Sequence, residues 1–454
     1  MDKNLNRYLT IIVFFALIVR LIPIFISGPQ KEYDTQEYLE MGQNLAVSGQ
    51  YSWLDPVENR VMPYAYRMPL FPVMAAIAFK FFPKKMELYL AILNIFFSIL
   101  TLILMAYCFY ILTDGNAESA LLSAFLMAIN PNSIYNSILL LTDTLFNFAS
   151  MMMIFTTIIA IKYRKPFYFF LCGISMGVAT LARPILKYFW FLLAILTSFA
   201  ILNESMKRKI KFSFLIVFGF YLIVFPWLLR NHSKLNFWGM DTHQGIDIMY
   251  SMKDLIKPST EDEYKKDPYF SKVRDIVAMN KNSTGAAHFN LRKELNLGPV
   301  EANELLSRVV METALKNPFK VFRKTILNFI KLIGSPRSEL ELISVFMGKG
   351  NHYFPNVSDG FQKNKWQVIF LNLPFALLHF IFFIMAVSGF YKIWKDSKIE
   401  NKILLLAPLA FCFYIIALTS FVDGYDRYRL PIEPFIIGFA SIWLINRVTK
   451  TLTK

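Results

Sequence analysis

The chain has 454 residues, of which 55% are hydrophobic and 18% are charged, and its formal net charge is +16. A soluble globular protein is charged at about a quarter of its positions, so this composition excludes an ordinary soluble domain. Apolar runs of about twenty residues recur, which predicts an all-α polytopic membrane protein whose positive charge meets anionic headgroups or substrates rather than nucleic acid. The three cysteines lie in apolar segments, and the sequence contains no zinc signature, nucleotide-phosphate loop or internal repeat.

The hydrophobicity pattern predicts a series of membrane spans. In chain order they are Tyr8–Ser27, Leu88–Leu112, Ala117–Asn130, Ile138–Ile161, Phe167–Ala182, Ile185–Leu202, Phe212–Leu229, Trp366–Tyr391, Ile403–Val422 and Leu430–Ile445. The first span lacks a small-residue cleavage site, so we interpret it as a retained helix rather than a signal peptide. We expect Arg20 inside it to pair with an acidic residue as a structural contact.

The apolar stretch Pro69–Phe82 is too short to cross a bilayer, since crossing takes about twenty helical residues. If it does not cross, every strong basic cluster falls on one side of the membrane, as the positive-inside rule requires. We therefore interpret it as an interfacial or re-entrant helix. Both chain ends are then cytoplasmic, in a plasma or inner membrane.

This topology predicts three regions. Residues 1–230 form an N-terminal transmembrane catalytic module with an outer loop at 28–87, residues 231–365 a small outer-face domain, and residues 366–454 the C-terminal transmembrane helices. Within the outer domain, Val300–Leu315 has a helical pattern. Phe319–Ile333 is basic and apolar, which is typical of a helix lying in the membrane interface.

Asp34 begins a segment of the first outer loop in which the apolar residues have the spacing of a helix. Asp34 and Glu37 have the spacing of a capping box, and Gly49 lies where the helix would stop. The residues alone leave two interpretations open, a functional carboxylate and a simple N-cap. Tyr33, Tyr38 and Tyr66 belong to the same loop, where aromatic rings either contact a sugar or form the aromatic belt of a membrane protein.

Asp143 lies near the outer edge of the membrane. It precedes Lys162 by about nineteen residues, or ~28 Å at the helical rise of about 1.5 Å per residue. A carboxylate beside hydrocarbon is costly and indicates a functional site, although a helix cap is the alternative.

The same counting brings several arginines to the outer edge, against the general charge bias. Arg183, Arg230 and Arg429 reach that depth, Arg67 belongs to the outer loop, and Arg427 is close to Arg429. Arginine binds phosphate through a planar fork, so these residues predict an anionic ligand at the outer leaflet. Snorkelling to lipid headgroups is the alternative for any single arginine.

These segments together form an ordered set of motifs. They are Tyr33-Asp34-x-x-x-Tyr38, Tyr66-Arg67-Met68-Pro69-Leu70, Asn130-Pro131 followed by Asp143, Leu181-Ala182-Arg183-Pro184, Leu229-Arg230-Asn231 and Arg427-Tyr428-Arg429-Leu430-Pro431. The set resembles the GT-C superfamily of integral-membrane glycosyltransferases. It is most similar to the branch that holds protein O-mannosyltransferases and the aminoarabinose transferase of lipid A.

The resemblance implies a GT-C-like transmembrane bundle, a polyprenyl-phosphate-sugar donor, and a lipid, glycan or protein acceptor outside the cytoplasm. By analogy, Asp34 is the catalytic carboxylate, Asp143 the second acid, and Arg67 a donor-phosphate ligand. Superfamily members differ in their use of a divalent metal, so the two carboxylates leave that question open. Because no acidic residue in an apolar span indicates a covalent nucleophile, we expect direct inverting displacement. A flippase of lipid-linked sugars and a non-catalytic scaffold are the alternatives.

Overall fold

The computed structural model describes residues 3–201, 204–350 and 366–452, and these residues are mostly helical. The N-terminal part contains α1 (Lys3–Ser27), α2 (Thr35–Ser48), β1 (Ser52–Asp55), β2 (Arg60–Pro63), α3 (Leu70–Phe81), α4 (Met86–Leu112), α5 (Ala117–Ala128), α6 (Pro131–Ile138), α7 (Asp143–Tyr163), α8 (Pro166–Ala182), α9 (Phe189–Ala200) and α10 (Met206–Leu235). The remainder contains α11 (Gln244–Met252), α12 (Glu261–Lys266), α13 (Pro268–Met279), α14 (Thr284–Leu295), α15 (Pro299–Lys316), α16 (Pro318–Gly334), α17 (Arg337–Phe346), α18 (Trp366–Asp396), α19 (Ile399–Val422) and α20 (Glu433–Leu452).

Six helices of the described chain are long and apolar enough to cross a membrane, and they confirm the helical membrane class. They lie in α1, α4, α7, α10, α18 and α19. Three other predicted spans, now α5, α8 and α9, are apolar helices of 10–17 residues. Helix α3 has 12 residues, or about 18 Å, which is the length of α5 and α9 as well.

The outer segments have a hydrophobic core of their own. Met41 of α2 and Tyr64 belong to one buried cluster with Val277, Leu306 and Val310 of the helices between α10 and α16. The antiparallel hairpin β1–β2 is an addition to the predicted all-α structure. Its buried Asp55 forms an ion pair of 2.6 Å with the buried Arg292 of α14. The first outer loop and the outer domain are therefore packed together as one unit.

Several helix boundaries differ from the sequence prediction for local reasons. The span predicted from Ile138 begins at Asp143, because the chain at 138–140 instead pairs with Gln30 of the first outer loop. The span predicted from Ile185 begins at Phe189, since Pro184 starts a separate 3-10 turn. The predicted helices in the outer domain are present as α15 and α16. The last part of that predicted domain, residues 351–365, lies outside the described residues.

Arg20 is buried in the bundle, but its partners are not acidic. Its guanidinium donates to Ser98, Ser133 and the carbonyl oxygens of Ala16, Met127 and Ala128. These bonds tie α1 to α4, α5 and α6. The structural role expected for Arg20 is confirmed, whereas the expected acidic partner is wrong, because serine hydroxyls and backbone carbonyls satisfy the donors.

Candidate active site

A cavity of about 410 Å³ lies where the outer loop meets the ends of the apolar helices. Its polar wall comes from the first outer loop, the α8–α9 connection and the turn after α19. A second polar wall comes from the start of α11, and an apolar wall comes from the outer end of α19. The lining includes Asp34, Tyr38, Tyr66, Arg67, Arg183, Lys187, Asp241, His243, Gln244, Asp247, Ile415, Leu418, Phe421, Arg427 and Tyr428. This combination suits a ligand with an anionic head and an apolar chain.

Asp34 and Arg67 form the centre of the polar wall. Arg67 NH2 is 2.9 Å from Asp34 Oδ1, and Arg67 Nε donates to Glu37 at 2.7 Å. Asp34 occupies the N-cap position of α2 without a side-chain cap bond, so neither the simple N-cap nor the capping box forms. Gly49 does end α2 in the left-handed conformation, as expected. The two carboxylates that could have capped α2 instead hold one guanidinium.

The turn after α19 supplies the second cation. Asp426 fixes this turn by accepting hydrogen bonds from the backbone amides of Arg427 and Ser338. The turn brings Arg427 NH2 to 3.5 Å from Asp34 Oδ2. Asp34 is therefore flanked by guanidinium groups from opposite ends of the chain.

Arg183 is the third guanidinium of the cavity wall, and Asp143 lies behind it. Arg183 NH2 is 2.8 Å from Asp143 Oδ1, and Arg183 Nε donates to Thr142 at 3.2 Å. The carboxylate of Asp143 is buried and does not belong to the cavity lining. The Arg183 guanidinium also lies 5.3 Å from the ring centroid of Tyr428. Asp143 thus orients Arg183 toward the cavity.

Of the other predicted residues, two arginines and one tyrosine lie outside the cavity, and two tyrosines line it. Arg230 donates to the backbone carbonyls of Tyr51 and Tyr64, which holds the outer loop against α10. Arg429 is buried, with its Nε 2.7 Å from Glu433, and its NH1 donates to backbone carbonyls at the end of α16. Tyr38 and Tyr66 line the cavity, whereas Tyr33 is exposed and outside the lining.

The segment from Asp241 to Ile248 contributes residues that the sequence did not indicate. His243 Nδ1 is 3.0 Å from Asp247 Oδ1, and the His243 ring lies edge-on to Tyr66 at 4.1 Å between centroids. Lys187 donates to Gln244 at 2.7 Å. The i,i+4 spacing of His243 and Asp247 was the available signal, but a lone histidine in a polar loop is more often an ordinary surface residue.

The charges of the cavity act on one another. Burial by itself raises the pKa of Asp34, but Arg67 and Arg427 outweigh burial and lower the pKa to about 2. Desolvation by the cavity wall acts to raise the pKa of Asp247, whose side chain is half exposed, and His243 outweighs it, so the pKa of Asp247 lies below its ordinary value. Asp34 is consequently ionised at neutral pH. Within the described residues, no group of three or more His, Cys, Asp or Glu side chains could hold a metal ion.

The chain matches a known protein family. The model of the dolichyl-phosphate-mannose-protein mannosyltransferase family matches residues 8–239, about half of the chain. This region contains Asp34, Arg67, Asp143 and Arg183. A search of curated protein sequences gave no match.

The fold is similar to that of known structures. The oligosaccharyltransferase of Archaeoglobus fulgidus, solved with a tethered acceptor peptide containing the NVT sequon, has 13% identity and a TM-score of 0.54. The alignment covers 99% of this chain and 50% of that protein, so this chain spans about half its length. ArnT from Cupriavidus metallidurans bound to undecaprenyl phosphate has 11% identity and a TM-score of 0.38, over 97% of this chain and 78% of ArnT.

Proposed function

This chain belongs to the dolichyl-phosphate-mannose-protein mannosyltransferase family, and from that premise we propose that it transfers a sugar from a polyprenyl-phosphate-linked donor to an extracytoplasmic acceptor. The GT-C resemblance of the motifs is confirmed by the family match and by the shared fold. The family and the six apolar helices make it an integral membrane protein.

One observation carries the proposal: a carboxylate lies between two guanidinium groups in a cavity with an apolar wall. Arg67 and Arg427 approach opposite oxygens of Asp34 at 2.9 and 3.5 Å. Leu418 and Phe421 of α19 belong to the apolar side of the same cavity. A lipid phosphate needs fixed cations for its charge and an apolar surface for its chain, and this cavity has both.

The reaction we propose is a direct inverting displacement. The acceptor hydroxyl or amine loses its proton to a neighbouring base or to water as it attacks the anomeric carbon, and the bond to the phosphate oxygen breaks with its electron pair remaining on the lipid phosphate. Arg67, Arg183 and Arg427 stabilise the charge that develops on the phosphate, since guanidinium groups stay protonated. Asp34 hydrogen-bonds and orients the acceptor. Asp143 acts through Arg183 as a positioning residue.

The localisation is also part of the proposal. The active site lies on the extracytoplasmic face of a plasma or inner membrane, and both chain ends are cytoplasmic, because the basic clusters then lie on one side. The acceptor belongs to the cell envelope and is a lipid, a glycan or a protein.

The test is sugar transfer by the purified protein with a panel of undecaprenyl-phosphate-hexose donors and extracted envelope lipids, glycans and proteins as acceptors. We expect Asp34→Asn to reduce transfer by about 10²-fold or more, since the neutral amide still accepts a hydrogen bond but lacks the negative charge that holds the acceptor and stabilises positive charge on the sugar. Asp34→Asn also removes the charge that pairs with Arg67 and Arg427, so the midpoint of thermal unfolding is measured alongside and transfer is compared at a temperature where the variant stays folded. Asp262→Asn, at an exposed acidic position of α12, is the matched control.

A wild-type rate of sugar transfer by Asp34→Asn would show that Asp34 has no role in the reaction. Movement of labelled donor lipid from one leaflet of a proteoliposome membrane to the other, with no sugar transferred to any acceptor, would instead support the flippase alternative.

A further inference from the structure

A histidine–carboxylate pair lies in the cavity wall supplied by the start of α11. His243 precedes α11, and Asp247 lies in its first turn, so one helix end holds both side chains. Nδ1 lies 3.0 Å from Asp247 Oδ1, an ion-pair distance, so the neutral imidazole is expected to carry its proton on Nδ1, beside the carboxylate. The ring nitrogen Nε2 then carries a lone pair, and it has no hydrogen-bond partner among the described residues. Both side chains belong to the cavity lining.

The surroundings keep this imidazole close to the proposed reaction. Its ring packs edge-on against Tyr66, whose own ring lies 5.1 Å from the Arg67 guanidinium. His243 also contributes to lowering the pKa of Asp34, so the two groups interact electrostatically. The side chain of His243 is 15% exposed, which leaves access from the cavity while limiting its movement.

We propose that His243, oriented by Asp247, accepts the proton that the acceptor loses during sugar transfer. The inference rests on the proposed function and extends it. The acceptor atom forms its bond to the anomeric carbon, the phosphate leaves with the electron pair of the broken bond, and the acceptor's proton passes to Nε2. The imidazolium so formed is paired with the Asp247 carboxylate and later releases its proton to water.

This assignment divides two tasks between two residues. Asp34 lies against two guanidinium groups, and its pKa of about 2 makes it a weak proton acceptor at neutral pH. It therefore suits orientation of the acceptor and stabilisation of positive charge on the sugar. Histidine is the side chain that ordinarily exchanges protons between pH 5 and 8, so it suits the proton transfer itself.

Several charged and titratable groups face this imidazole and bear on its pH dependence. They are Asp34, Tyr66 and Arg67 of the first outer loop, Lys187 of the α8–α9 connection, Asp241 and Asp247 beside it in the chain, His288 of α14 and Arg427 of the turn after α19. A donor phosphate in the cavity adds negative charge to this set.

His243→Asn separates the proposed role from a structural one. The asparagine amide nitrogen can take the place of Nδ1 beside Asp247, but the side chain provides no basic nitrogen in place of Nε2. We measure kcat and the KM for the donor between pH 5 and 9, using the full-length protein and an undecaprenyl-phosphate-hexose that the wild type accepts. For the wild type we expect a fall in kcat toward acid pH, because an imidazolium cannot accept a proton.

For His243→Asn we expect a loss of about 10²-fold or more in kcat with little change in KM, and loss of the acid limb from the pH profile. His243→Ala should regain part of its rate when free imidazole is added. The matched control is His232→Asn, at the histidine that stacks on Trp238 away from the cavity, and it should behave as the wild type.

Two results would overturn the assignment of His243 while leaving the proposed function intact. One is wild-type kcat in His243→Asn. The other is a reduced rate that keeps the wild-type acid limb and is not restored in His243→Ala by imidazole. If the wild type itself transfers sugar from no donor, the proposed function and this inference both fail.

Discussion

The arginines that the sequence places at the outer edge of the membrane have different roles in the folded protein. Arg67 and Arg427 flank a carboxylate in the cavity, whereas Arg429 is buried among Glu433 and backbone carbonyls. All three combine a charge with a fixed planar geometry. They differ in the groups that each guanidinium contacts. The same substitution by lysine is therefore expected to weaken ligand binding at one position and stability at another.

We predict that Arg67→Lys weakens binding of undecaprenyl phosphate by about tenfold, since lysine keeps the charge but loses the fork that accounts for one charge-assisted hydrogen bond. Arg429→Lys should instead destabilise the protein, by about 1–3 kcal/mol for each buried acceptor left without a donor. The measurements are ligand binding by the purified variants and the midpoint of their thermal unfolding in detergent. Equal loss of stability in both variants would contradict this division of roles.

At the scale of the elements, the site depends on helices that pack with almost no side chain between them. Gly173 and Gly177 of α8 face α10, and Gly219 of α10 faces α8. A Cβ at Gly173 would overlap the carbonyl oxygen of Ile216. Small residues allow such close backbone approach in membrane helices. This contact positions α8, whose C-terminal end leads into Arg183.

Gly173→Ala should therefore destabilise the protein by about 1–3 kcal/mol, as expected for overpacking at a rigid contact. Because α8 leads into Arg183, sugar transfer should also fall. Gly285→Ala in α14 is the matched control, since a Cβ there meets its nearest neighbour, Phe289, at 3.7 Å. That variant should be neutral or slightly more stable, because alanine favours a helix. A destabilised Gly285→Ala with a stable Gly173→Ala would contradict the packing argument.

For the whole molecule, the membrane topology is the property on which the proposal depends. The proposed site needs the outer loop and the outer domain on one side of the bilayer, and the shared core of these segments agrees with that arrangement. For α3, which has 12 residues like α5 and α9, the placement on that side rests on the segregation of the basic clusters.

Cysteine labelling in intact cells measures this topology directly. We expect Lys84→Cys to react with an impermeant thiol reagent added outside intact cells. Lys207→Cys should react only after the membrane is permeabilised. The native Cys108 and Cys172 are buried and should contribute little background. Labelling of position 207 from outside would overturn the orientation and, with it, the extracytoplasmic active site.

The sequence by itself determined the helical membrane class, most of the spans and a short set of polar residues that includes Asp34, Arg67, Arg183 and Arg427. Hydrophobicity and helical periodicity are local patterns that extend over about twenty residues, so they can be read directly from a single sequence. The hairpin β1–β2 was missed because four-residue strands leave a weak signal beside much longer apolar helices.

Only the tertiary structure decided which of these residues share a cavity. The contact between Asp34 and Arg427 joins positions 393 residues apart, and counting along helices gives depth in the membrane but not direction around the helix axis. Arg230 and Arg429 therefore appeared equivalent to Arg183, although their side chains face protein contacts. His243 was missed for the same reason, since its place beside Tyr66 depends on how the outer domain packs on the first outer loop.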